Sequence, residues 1–169
     1  MLNSSGKGAL LLLFLSWAAH PTTAQSPAEP FTAVQHEQLT QTNAMQSLRL
    51  KEMRDLPTTQ SVHLLRMNQS VPIGEKLKIT IPDDKTLIIA KTGGESHDSR
   101  DFTWFGVVQG QSKGSATLAS RNGEISGSIN TTSGVYRLTS LGGGLYAIVK
   151  VNPKNLPLDE PPAKDRKKP

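Results

Sequence analysis

The chain has 169 residues, 36% of them hydrophobic and only 5% aromatic, with a formal net charge of +5, values that suit one domain whose core is built from Leu, Ile and Val. Cysteine is absent, which excludes disulfides, thiolate zinc sites, thiol nucleophiles and a cysteine-linked lipid anchor. The charge belongs largely to the end of the chain: Lys164, Arg166, Lys167 and Lys168 stand there against Asp165, and residues 25–160 carry a net +1, so there is no basic stripe for a nucleic acid.

In chain order, Lys7 is a short basic start, and Ala9 to Ala19 is an apolar run too short to span a bilayer. Thr22-Thr23-Ala24 then offers small residues before a cut. This reads as a signal peptide over 1–24, against the alternative of a retained anchor, and leaves a secreted or periplasmic protein with no membrane segment after its removal. Residues 25–42 are rich in Gln, Thr, Pro and Ala and read as a mobile lead-in. Asn43 and Gln46 have capping-box spacing, and Met45, Leu48, Met53 and Leu56 fall near one helical face before Pro57. They predict a short amphipathic helix over 43–56, lying across a sheet or, alternatively, binding a partner.

From 61 to 152 the pattern has period two. Ser61 to Met67, Lys76 to Ile81 and Thr86 to Lys91 read as strands, the last two joined by the turn Pro82-Asp83-Asp84-Lys85. Thr92 to Arg100 reads as a polar loop. Between Asp101 and Val151, Phe102, Trp104, Gly106 and Val108 alternate with Thr103, Phe105 and Val107. Asn122-Gly123 is a strong hairpin signal, and Gly142, Gly143 and Gly144 supply a tight reversal. About eight short strands with tight turns predict a mainly β domain: an antiparallel β-meander forming a small sandwich, roll or open barrel, with one short N-terminal helix. Residues 153–169 read as a Pro-rich, basic, disordered tail.

Catalytic signatures are missing: no HExxH, no GxSxG and no phosphate-binding glycine loop. The reading is therefore not an enzyme, with no catalytic residues, no cofactor and no metal. His63 falls in a strand and reads as outward-facing. Glu95, His97 and Asp98, with Asp101 nearby, form the one polar constellation, either a solvated loop or a partner-binding site. Asn68-Gln69-Ser70 and Asn130-Thr131-Thr132 fit the N-glycosylation pattern, which has meaning only in a eukaryotic secretory route.

The order Trp104-Phe105-Gly106, Asn122-Gly123, Gly127-Ser128-Ile129, Tyr136-Arg137-Leu138, Gly142 to Gly144, Leu145-Tyr146-Ala147-Ile148 and Asn152-Pro153 resembles the N-terminal prosegment of secreted bacterial zinc metalloendopeptidases, the reprolysin-like and peptidyl-Asp precursors. That resemblance implies an inhibitor or folding assistant whose partner is a secreted zinc metalloendopeptidase, or a remnant of such a precursor, without catalytic activity of its own because the zinc-binding histidines are missing. The alternative from the residues alone is a secreted β-rich binding or structural module with an unrelated ligand. For the exported protein, cleavage near Ala24 predicts an intact mass beginning at Gln25; a mass retaining residues 1–24 would refute it.

Overall fold

Strand alternation persists through most of the chain because each strand has one face in a closed interior and one outside. The computed structural model describes residues 26–34, 43–68, 73–82, 85–98 and 100–155; residues 1–24, read as a signal peptide, and most of the expected tail lie outside these. Within them are nine strands and one α-helix. The strands are β1 (Phe31–Ala33), β2 (Thr59–Met67), β3 (Lys76–Ile81), β4 (Lys85–Ser96), β5 (Phe102–Val108), β6 (Ser115–Arg121), β7 (Glu124–Thr131), β8 (Gly134–Gly142) and β9 (Leu145–Val151), and α1 is Ala44–Asp55. All pair antiparallel in a single sheet of order β1-β2-β9-β8-β7-β6-β5-β4-β3.

The two ends of that sheet meet, making a nearly closed barrel. Ala28 bridges in parallel to Leu77: its N–H donates to the Lys76 carbonyl at 2.7 Å, and the Lys78 N–H donates to the Ala28 carbonyl at 2.7 Å. Lys78 also reaches Glu29 at 3.1 Å. Pro30 has no N–H with which to continue the seam, and its carbonyl accepts from Asn68 N instead. Residues 28–33 were expected within a mobile lead-in. They instead close the barrel, because Phe31, with 1% exposure, fills the core and packs edge-on against Tyr146 at 5.4 Å between ring centroids.

Inside, Leu65, Ile79, Ile89, Leu118, Ile129 and Ile148 are fully buried, so most of the interior is packed solid, as narrow barrels are. Helix α1 covers the outside of β2, β9 and β8 and forms a second core from Leu50, Leu64, Leu141, Leu145, Ala147 and Val149. Strand β9 is thus apolar on both faces, which explains its unbroken run LYAIV. The Asn43–Gln46 capping box forms. Of the expected face Met53 packs against this second core, but Met45, Leu48 and Leu56 are exposed, whereas Gln46 and Leu50 are buried. Gln46 Nε2 donates to the Gly142 carbonyl at 2.8 Å, and this anchor, absent from any apolar count, turns the helix.

Two further expectations change. The polar loop placed at Thr92 to Arg100 is strand as far as Ser96, because a bulge at Thr92 restores register and Gly94 pairs with Trp104. His63 shares the inward parity of Leu65, and its Nε2 is buried without a hydrogen-bond partner among the described residues. The adjacent pair Leu64-Leu65 feeds both cores, so composition alone could not assign parity.

Trp104 divides the barrel. Its indole N–H donates to the Gly74 carbonyl at 3.2 Å, and its ring lies over Gly106, where a Cβ would come within 2.5 Å of the ring and 2.8 Å of the Ala90 carbonyl. Gly106→Ala should therefore overpack the core and cost about 1–3 kcal/mol. In the protein beginning at Gln25, where Trp104 is the one tryptophan, it should also shift the Trp104 emission; an unchanged spectrum and stability would contradict this packing. Asn122 and Gly123 have φ of 53° and 82°, the geometry of a type I′ hairpin turn. No side chain crowds Gly123 closer than 3.8 Å, so Gly123→Val should lose roughly 1–3 kcal/mol through backbone strain alone. Asn122→Gly should be mild by comparison, and equilibrium unfolding of both variants separates the two.

Candidate functional site

Among the described residues the upper end of the barrel is open. A cavity of about 890 Å³ lies above Trp104, within the range of ligand sites. Its walls are the ends of four connections: β2 into the segment before β3, the β4–β5 hairpin, the β6–β7 hairpin and the β8–β9 turn. The floor is apolar, with Met67, Ile73, Phe102, Trp104 and Ile125. Tyr146 joins them at 2% exposure.

Hydrogen bonds clamp two of these hairpins together. The Asn122 N–H donates to the Asp101 carboxylate at 2.5 Å, the Gly123 N–H donates to the Arg100 carbonyl at 3.1 Å, and the Ser120 hydroxyl donates to that same carbonyl. Asp98 shapes the loop in the same way, one carboxylate oxygen accepting from Arg100 N at 2.6 Å and Asp101 N at 2.8 Å. Those two N–H groups hold its carboxyl below the ordinary Asp value. The stabilisation is present at neutral pH and is lost as pH falls through that lowered value.

Of the residues singled out in the sequence, Glu95 and Asp98 border the cavity, and His97 is exposed beside them. Glu95 pairs with Thr103 and Glu124 with Arg121, on the outward parity of strands whose Trp104 and Ile125 point in. Gly143 and Gly144 border the same opening, at φ of 60° and 75°. Among the described residues no three His, Asp or Glu side chains converge on a metal position.

The sequence reading missed Ser140 and Tyr146. They are directly opposed across β8 and β9, and both line the cavity. The Gly142 N–H donates to Ser140 Oγ at 3.0 Å, and the Ile125 N–H donates to Tyr146 Oη at 3.3 Å. No local signal reveals them: β9 is apolar on both faces, and the neighbouring Leu141 faces outward into the core under the helix. Phe102 and Trp104 were legible as one face of β5.

One solved chain, titled "Structure of a chaperone-substrate complex", superposes with a TM-score of 0.46 at 14% identity, over 61% of this chain and 89% of that one; so partial a likeness carries no argument. Comparison with curated proteins finds no match. A family model described as the BamI lipocalin-like domain matches residues 17–153. That match overturns the resemblance to metalloendopeptidase prosegments, and with it the zinc endopeptidase as partner and the inhibitor or folding-assistant role. The shared pieces were glycine turns and strand alternation, which any antiparallel barrel needs. With most of its length matched and its nine strands closed into a barrel flanked by one helix, the chain belongs to the BamI lipocalin-like domain family.

Proposed function

We propose that this protein is a non-enzymatic binding module, exported to the periplasmic side of the envelope, whose ligand seat is the open barrel mouth. The observation that carries this reading is the 890 Å³ cavity with an apolar floor and walls clamped by hydrogen bonds between hairpins. A preorganised opening of this kind holds a ligand without ordering loops first. Family membership supports a place beside the outer-membrane assembly machinery, and the apolar run Ala9 to Ala19 supports export.

The test uses a neutral fluorescent probe, N-phenyl-1-naphthylamine, and the protein beginning at Gln25, in which Trp104 is the one tryptophan. Binding should raise probe emission and quench Trp104 beneath it. Met67→Arg places a cation in the apolar floor, where Met67 is partly buried, and should weaken the probe by about tenfold. No probe binding, or equal affinity in Met67→Arg, would remove the mouth as the seat.

A further inference from the structure

One turn at the mouth carries a covalent chemistry of its own. Asn122-Gly123 is the one Asn-Gly pair in the chain. It forms the β6–β7 turn at φ of 53° and 82°, Asn122 is exposed, and no other side chain stands closer than 3.8 Å to the place of a Gly123 Cβ. An Asn followed by a residue without a side chain can react with its own backbone, because nothing hinders the approach. The Gly123 nitrogen, once a base has taken its proton, attacks Cγ of Asn122. The new N–Cγ bond closes a five-membered succinimide as the Cγ–Nδ2 bond breaks and ammonia leaves. Water then opens the ring, at Cγ to give Asp or at the backbone carbonyl to give isoaspartate.

In this fold the attacking nitrogen is held. Its N–H donates to the Arg100 carbonyl at 3.1 Å, the Ser120 hydroxyl donates to the same carbonyl, and the Asn122 N–H donates to the Asp101 carboxylate at 2.5 Å. An engaged N–H keeps its proton, and ring closure requires a rotation of the peptide that these bonds resist. Conversion therefore needs the clamp between the β4–β5 and β6–β7 hairpins to open first.

We propose that Asn122 is a deamidation site whose rate is set by opening of this clamp, and that the product keeps the clamp open. Either product adds a carboxylate beside Asp101, at an opening that Asp98 and Glu124 already border, and like charges so close repel. Isoaspartate also routes the main chain through the side-chain carbon, adding one atom to a two-residue turn that pairs Arg121 with Glu124. Nothing in this depends on what occupies the mouth.

The protein beginning at Gln25 is incubated at mildly alkaline pH, folded and in denaturant, and conversion at Asn122 is followed by peptide mass mapping and enzymatic labelling of isoaspartate. Folded protein should convert about tenfold or more slowly than unfolded protein, as a site that reacts only from an open form must. Ser120→Ala and, separately, Asp101→Ala each remove part of the clamp and should speed conversion severalfold. Val149→Ala, which loosens the core under the helix, should leave the rate within about twofold. In the converted protein, separated by its added negative charge, the amides of residues 122 and 123 should exchange about tenfold faster. Equal rates in folded and unfolded chains, clamp variants no faster than wild type, or a Val149→Ala rate matching theirs would overturn control by the clamp. Unchanged amide exchange after conversion would overturn its release. The comparison of folded with unfolded wild type stands even if a variant fails to fold.

Discussion

The barrel depends on its seam. Eight strand pairings place neighbours side by side, but a twisted antiparallel sheet has two free edges, each a row of unpaired backbone groups. Here the edges are joined by two hydrogen bonds of 2.7 Å at Ala28 and by the Lys78–Glu29 ion pair. The ion pair is exposed and contributes little by itself. The backbone bonds matter more, because they hold Phe31 and Leu77 over the interior and so decide that there is an inside. Pro30 ends the seam after one bridge, which keeps the closure short.

The two faces of the wall carry different chemistry because one helix covers only part of it. Under α1, β9 and its neighbours are apolar on both sides. Away from the helix most outward positions are small or polar, the exceptions including Ile88 on β4, Phe105 and Val107 on β5 and Val135 on β8. The two halves of the interior differ as well. Below Trp104 the barrel is filled by Leu, Ile and Tyr136 side chains, and above it the walls end in hairpins that bond to one another rather than to a core. Hydrogen-bonded walls around an unfilled end are the geometry on which the proposed ligand seat rests.

The family assignment also shows where motif order misleads. Asn122-Gly123, Gly142 to Gly144 and the alternation around Trp104 are requirements of tight turns and half-buried strands, so they recur wherever strands meander. They describe how the chain reverses, not what it binds. The match over residues 17–153 weighs the chain as a whole and separates one meander from another.

Much of the local structure was legible in the residues. Period-two alternation marked β3 and β5, the Asn43–Gln46 pair marked the start of α1, and Asn-Gly marked a turn whose positive φ angles few other residues tolerate. These signals are local, because each depends on neighbours within a few positions. The tertiary structure decided what depends on distant partners: that residues 28–33 close a barrel, that Gln46 and not Met45 faces the sheet, and that His63 points inward. It also decided that Ser140 and Tyr146 share one wall of a cavity. In each case the deciding contact joins segments far apart in the chain, and a strand that is apolar on both faces, such as β9, carries no mark of which side will enclose a ligand.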